Sequence, residues 1–273
     1  MQHFKIDLFG TKDGAYIEAF IADTTPYTRK ALLVIPGGGY GSICDDREGE
    51  PIALAFLPHG FNCFVLHYTV ARKKKFPAQL IEASAAMRFI KSHAKSLSID
   101  PDQIFATGFS AGGHLCASLG VLWKHPKITE NLGIPYGYNR PRGIMPIYPV
   151  ISADPAIAHK GSFCNLLCSD DPTQEELDAC SIEKNVDADS SPAFIVHTVT
   201  DQIVDVRNSL VLANAYTEAK VPYELHIFPD APHGMALGNA ITAGAEPKFN
   251  NPALADWVRM AAYWADQVCK NQW

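Results

Sequence analysis

No Cys-x-x-Cys pair occurs in this chain, and its seven cysteines are an odd number. A disulfide scaffold needs an even count and a zinc ribbon needs close pairs, so neither organises this protein, and the thiols read as reduced. Cys164 and Cys168 share one face if their segment is helical, but two sulfurs without nearby histidines make no metal site, and both read as core residues. No apolar run approaches the length that crosses a bilayer. The start, Met1-Gln2-His3-Phe4-Lys5-Ile6-Asp7, lacks the charged-then-apolar plan of a signal peptide, so the expectation is a cytoplasmic protein with no membrane partner. A large basic face is missing too: the net charge of -6 is spread along the sequence, and nucleic acid is not an expected partner. Arg72-Lys73-Lys74-Lys75 is the one cationic run, and between a strand and a helix it reads as a solvated loop that could line a substrate entrance. Repeats and low-complexity segments are absent.

What is present is an alternation. Residues 4 to 21 read as two antiparallel strands around the turn signal Lys12-Asp13-Gly14, followed by strands near 31 to 35, 61 to 68, 103 to 107, 144 to 148, 193 to 198 and 224 to 228. Helices lie between them. One starts near Pro77 with Leu80, Ala83, Met87, Ile90 and Ala94 on one face, one runs from Val206 to Ala219, and one runs from about Asn251 to Val268. Strands alternating with helices predict an α/β fold with a mostly parallel sheet. With 47% apolar residues there is ample material for a core, and residues 1–273 are expected to form a single domain.

Gly108-Phe109-Ser110-Ala111-Gly112 sits directly between the apolar run 103 to 107 and a small-residue helix. A serine hydroxyl attacks only if it stands on a sharp, crowded turn, and flanking glycines supply the room, so the segment reads as a nucleophile elbow. A nucleophilic Ser110 needs a base and a group to orient that base, appearing in the chain order Ser, Asp or Glu, His. His233 lies in the loop Pro229-Asp230-Ala231-Pro232-His233-Gly234 at the end of a strand, whereas His226 falls within that strand. His233 is the expected base. Asp201 follows the strand 193 to 198 at the carboxyl edge of the sheet, where open parallel sheets place their sites. Asp205 is its rival, but it immediately precedes a helix and reads as that helix's cap.

Donors for an oxyanion should come from a glycine-rich turn after an earlier strand, and Ala31-Leu32-Leu33-Val34-Ile35 runs straight into Pro36-Gly37-Gly38-Gly39-Tyr40. The amides of Gly38 and Gly39, with that of Ala111, are the expected oxyanion hole. A phosphate loop would need a following Lys-Ser or Lys-Thr, or Gly-x-Gly-x-x-Gly spacing, and neither occurs. Tyr40 and Tyr68 each end a strand-like segment and are candidate substrate-binding residues, with plain aromatic packing as the alternative.

These elements together resemble the alpha/beta-hydrolase superfamily, and within it the small carboxylesterases of the hormone-sensitive-lipase-like and acetyl-xylan-esterase-like branch. Further points of likeness are Arg47-Glu48-Gly49-Glu50-Pro51-Ile52-Ala53, Gly60-Phe61, Ile99-Asp100-Pro101-Asp102-Gln103-Ile104 and Pro229 to Gly234. The resemblance implies a central sheet flanked by helices on both faces and assigns Ser110, Asp201 and His233 to a triad, with Gly38, Gly39 and Ala111 as the hole. It implies no metal or organic cofactor, a small-molecule ester such as an acetylated sugar as the partner, and self-association into a homo-oligomer. Pro36, Phe109 and His114 stand where the lipase-like branch usually has His, Asp and Asn, which turns the expectation from lipase to carbohydrate esterase.

Residues 152–191 interrupt the alternation, are rich in Asp, Ser and Pro, and hold a capping-box pattern at Thr173-Gln174-Glu175-Glu176. The segment is expected to form a small cap over the pocket, with a surface excursion as the alternative. The expected activity is serine-dependent hydrolysis of short acyl esters. A prolyl-oligopeptidase-like peptidase would normally carry a large extra domain, for which 273 residues leave no room, and a non-catalytic binding module could dispense with the base.

Overall fold

The computed structural model describes residues 1–10, 14–23 and 27–270. Lys12 and Asp13 of the expected first turn lie outside the described residues. Eight strands form one sheet: β1 (Gln2–Asp7), β2 (Tyr16–Ile21), β3 (Arg29–Ile35), β4 (Phe61–His67), β5 (Ile99–Phe109), β6 (Ile144–Ile147), β7 (Ala193–Thr198) and β8 (Tyr223–Phe228). Their order is β1-β2-β4-β3-β5-β6-β7-β8. β2 is antiparallel to β1 and β4, and every later pairing is parallel.

The central strands read as near-continuous apolar runs because both faces are covered. Leu33 and Ile35 of β3 point into one core with Leu80 and Met87 of α3 (Ala78–Ser92), Leu115 and Leu119 of α4 (Ala111–Val121) and Leu212 and Tyr216 of α8 (Arg207–Ala219). Leu32 and Val34 point the other way, into a core with Phe105, Phe56 of α2 (Glu50–Phe56) and Trp257 and Trp264 of α11 (Trp257–Cys269). The period of two along a strand thus builds two layers from one short sequence.

The strand order also fixes where a ligand can sit. From β3 the chain moves to β4 on one side, then crosses back to β5 on the other, so β3 and β5 stay paired to their carboxyl ends while the segments that follow them leave in opposite directions. That reversal opens a crevice, and the Pro36 turn and the Ser110 elbow both leave their strands there.

Three local expectations are corrected. β5 begins at Ile99, four residues before the apolar run, because Arg29 already pairs with Ile99 ahead of an irregularity between residues 29 and 31. The C-terminal helix is broken into α10 (Pro252–Ala255) and α11, with Asp256 at ψ -10 between them. Cys164 is buried on α6 (Lys160–Leu166), but that helix ends before Cys168, which is half-buried with φ 52 and shares no helical face with Cys164. Residues 152–191 hold α6, α7 (Gln174–Cys180) and a 3-10 turn at Ile182–Lys184, and α7 starts with the expected capping box: Glu176 N–H donates to Thr173 Oγ1 and Thr173 N–H to Glu176 Oε2. The remaining short helices are α1 (Asp45–Glu48), α5 (Pro126–Leu132) and α9 (Ala240–Ala243). Among the described residues no helix is long and apolar enough to cross a membrane.

Candidate active site

Ser110 occupies the single residue between β5 and α4, at φ 53 and ψ -117. A non-glycine residue held there costs on the order of 1–3 kcal/mol, so its surroundings must enforce the turn. Its N–H donates to Ile147 O at 3.1 Å and its C=O accepts from Val150 N at 3.1 Å, clamping both sides of the residue to the end of β6. A Cβ at position 112 would stand 2.1 Å from Ile35 O and 2.4 Å from Pro36 O, so glycine alone lets α4 start this close to β3.

The relay expected from chain order is assembled. His233 Nδ1 lies 2.7 Å from Asp201 Oδ2, and its Nε2 lies 2.8 Å from Ser110 Oγ. A carboxylate only accepts, so Nδ1 carries the proton, and the Nε2 lone pair is left to accept from the serine hydroxyl. Asp201 Oδ1 is occupied by the amides of Ile203 and Val204, both at 2.9 Å, which aims the other oxygen at the imidazole. Burial pushes the Asp201 carboxyl up, but hydrogen bonds from His197 and His233 and the Val204 amide outweigh it and hold the group well below the carboxylate range. Thr198 Oγ1 donates to Ala231 O, and Thr200 Oγ1 donates to Asp230 Oδ1 and accepts from Ala231 N, fastening the loop after β7 to the loop that carries His233. Asp205 turns away: it accepts from the Arg207 amide at 2.8 Å and forms an ion pair with the Arg207 guanidinium, but the cap position of that helix falls on Val206, one residue later than expected.

The glycine turn is pinned peptide by peptide. Tyr68 Oη donates to Pro36 O at 2.9 Å, and the same peptide's other end, Gly37 N–H, donates to Glu48 Oε2 at 2.8 Å. Gly37 O accepts from Cys44 N, and Gly38 O accepts from Gly41 N and Ser42 N. Fixing those two carbonyls fixes the opposite ends of their peptides, which are the N–H groups of Gly38 and Gly39. Ala111, as the first residue of α4, has no intrahelical acceptor for its amide. The turn abuts the serine, since a Cβ at Gly37 would lie 3.1 Å from Ser110 Cβ.

Tyr40 and Tyr68 are 2% and 3% exposed, the aromatic packing that was the alternative to substrate contact. Tyr68 spends its hydroxyl on Pro36, and Tyr40 Oη donates to His114 Nδ1 at 2.7 Å. They stack edge to face beneath the glycine turn and act on its shape. His114 Nε2–H donates in turn to Cys180 O, and burial pushes this imidazole down to about 4.

Several residues at the site carry no role in the sequence reading. Glu48 is buried and accepts a second hydrogen bond from Tyr148 Oη at 2.8 Å, while the Tyr148 ring packs edge-on against the His233 ring. Tyr148 ends a strand-like run just as Tyr68 does, and that position was its only signal. Asn165 from α6 donates to Gly39 O and accepts from Arg72, and Ser162 Oγ lies 3.9 Å from where a Cβ on Gly39 would be. His159 donates to or accepts from Ser162 and is half-buried; burial and the nearby His233 push its imidazole down, with Asp201 acting against them. Lys75 pairs with Glu176 and Arg72 with Asp170, so the cationic run ties the 152–191 segment to the body.

Two cavities flank the relay. One, of about 340 Å³, is lined by Ile157, Asp201, Gln202 and Ile203, and the other, of about 520 Å³, by Thr200, Ile203, His233, Lys248 and Phe249. A further cavity of about 550 Å³ lies between Met87, Asp102, Arg140 and Pro222, at the amino ends of the strands and thus away from Ser110.

With this geometry in place, comparison with known proteins is informative. The family model described as BD-FAE matches residues 20–216. Endo-1,4-beta-xylanase B of Butyrivibrio fibrisolvens is 38% identical over 219 residues, which cover 77% of this chain and 33% of that protein. The acetylxylan esterase of Xylanibacter ruminicola is 28% identical over 213 residues, covering 77% of this chain and 42% of its own length. The chain thus spans less than half the length of these two relatives. Among solved structures, an acetyl ester-xyloside bifunctional hydrolase from Caldicellulosiruptor lactoaceticus matches with a TM-score of 0.81 at 31% identity, over 97% of this chain and 96% of that one.

Proposed function

This chain belongs to the BD-FAE family and has the α/β-hydrolase fold, and on that premise we propose that it is a serine carboxylesterase that removes short acyl groups, acetyl first among them, from small molecules or sugars. The observation that carries the reading is the unbroken relay from Ser110 Oγ through His233 to Asp201, beside a turn whose Gly38 and Gly39 amides are fixed but unspent.

In this reading His233 Nε2 takes the proton as Ser110 Oγ bonds to the ester carbonyl carbon, and Asp201 stabilises the imidazolium. The carbonyl oxygen, now negative, rests on the amides of Gly38, Gly39 and Ala111. The tetrahedral centre collapses, the carbon–oxygen bond to the alcohol breaks, and the alcohol leaves with the proton from His233. Water then gives a proton to His233 as it attacks the acyl carbon, and the acyl–Oγ bond breaks with that proton passing from His233 to Ser110 Oγ, releasing the acid and free Ser110. The segment 152–191 serves as a cap within a single domain, bringing Ser162 and Asn165 to the glycine turn. The acetylated-sugar preference draws support from the acetylxylan esterase and acetyl ester-xyloside hydrolase among its relatives.

The test is acetate release from acetylated xylo-oligosaccharides, alongside mass spectrometry after a phosphonate ester inhibitor. The expected result is acetate release together with one phosphonate adduct on Ser110. An enzyme that hydrolyses esters without labelling at Ser110, or that ignores every ester offered, contradicts the reading.

A further inference from the structure

Glu48 is a carboxylate in a fully enclosed place: burial pushes its carboxyl up, and the Gly37 amide, the Tyr148 hydroxyl, His233 and Arg47 act against that and favour the charged form. Both of its oxygens are used as acceptors: Oε2 takes the Gly37 N–H, and Oε1 takes the Tyr148 Oη–H. Tyr148 Oη in turn accepts from Ala236 N at 3.2 Å, three residues past His233, and its ring meets the His233 ring at 5.0 Å between centroids and 67° between planes. Tyr148 holds this position at φ 37, outside the regions a tyrosine prefers. One side chain therefore touches the peptide that sets the oxyanion turn and the aromatic ring that backs the general base.

We propose that Glu48 is a positioning residue that couples the oxyanion turn to His233 through Gly37 and Tyr148, and whose negative charge favours the imidazolium formed during attack. The inference rests on the esterase reading above. A neutral amide could hold the same two neighbours, accepting from Gly37 and donating to the tyrosine oxygen, so the charge itself is what needs a reason. The groups facing Glu48 are Arg47 and Cys44 from its own turn, Tyr68 after β4, Tyr148 after β6, and His233. His233 is faced by Asp201, Tyr148, Glu48 and, from the 152–191 segment, His159. The Arg47 guanidinium also approaches Gly234, 3.5 Å from where a Cβ there would stand, and offsets part of the Glu48 charge.

The experiment measures kcat and KM for p-nitrophenyl acetate from pH 5 to 9 in the unaltered protein, Glu48→Gln, Tyr148→Phe and Ser110→Ala. The proposal expects Glu48→Gln to lose roughly 10- to 100-fold in kcat with KM within about two-fold, as an effect confined to the transition state requires. It also expects the acid limb of its kcat/KM profile to move to lower pH, because removing a nearby negative charge disfavours the imidazolium. A limb that stays in place overturns the proposal whether or not kcat falls, since a merely structural carboxylate would leave it there. Should Glu48→Gln fail to fold, Tyr148→Phe decides: a fall in kcat of about five-fold or more at constant KM supports the coupling, and unaltered kcat contradicts it. Turnover by the unaltered protein that survives Ser110→Ala counts against the esterase reading instead, so the two failures are distinguishable.

Discussion

Asp201 and Asp205 sit four residues apart in one loop and differ in every neighbour that matters. Asp201 is buried against His233, His197 and two backbone amides, whereas Asp205 holds the amide and the guanidinium of Arg207 near the surface. Asp201→Asn is therefore expected to lower kcat by about 10,000-fold by favouring the wrong imidazole tautomer. Asp205→Asn is expected to leave kcat intact and to cost at most about 1 kcal/mol in urea unfolding. Full activity in Asp201→Asn would exchange the two assignments. The depressed Asp201 carboxyl has a consequence for stability as well. A group whose folded value lies below its unfolded one contributes stability above the unfolded value of about 4, and that contribution is lost as pH falls below it. His114 works in the same direction at higher pH: with its folded value lowered from 6.5 to about 4, the folded protein binds fewer protons in that window. Stability should thus fall between pH 6.5 and 4, by a contribution on the order of 3 kcal/mol. Melting curves across that range check it, and a flat profile in the unaltered protein would contradict it. The site histidine and serine were legible from the loop and elbow spelling. Glu48, Tyr148 and Asn165 were not, because their roles depend on contacts 11 to 126 residues distant in the chain, which no local pattern records.

At the scale of elements, the turn between β3 and α1 carries the Gly38 and Gly39 amides proposed to hold the oxyanion, and it abuts Ser110. Gly38 has φ 120, and a Cβ there would stand 2.2 Å from Ser42 O. Gly38→Ala must therefore shift the turn, and losing one oxyanion donor is expected to cost about 3 kcal/mol of barrier, or a 100- to 1,000-fold fall in kcat. A Gly38→Ala protein with unaltered kcat would remove the turn from the mechanism. The 152–191 segment acts on the same turn from above, through the Asn165 amide on Gly39 O. Asn165→Ala should lower kcat by roughly 3- to 10-fold while leaving the melting temperature within a few degrees, because it removes two hydrogen bonds of about 1 kcal/mol each, one to Gly39 O and one, exposed, from Arg72. The glycine run announced a turn after β3, but not its clamps. Nor could the pattern around Cys168 show that α6 stops at Leu166, since that depends on how the segment folds back to the Arg72 carbonyl.

For the molecule as a whole, the strand alternation was readable because the central parallel strands β3, β4 and β7 are buried on both faces and so spell themselves as apolar runs, while β8 at the edge is half-buried and mixes in Glu224 and His226. The order of those strands was not spelled locally. It arises from the two-sided exit at β3, and it is this order that brings residues 38, 110, 201 and 233 to one crevice from four separate loops. The proposed serine-dependent hydrolysis of short acyl esters in this crevice can be read from the rates of p-nitrophenyl esters from acetate to decanoate, with Ser110→Ala beside the unaltered protein. The account predicts the highest kcat/KM on acetate, a steady fall with chain length, and loss of at least about 10,000-fold in Ser110→Ala. No turnover on any ester, or turnover that persists without the Ser110 hydroxyl, would contradict it.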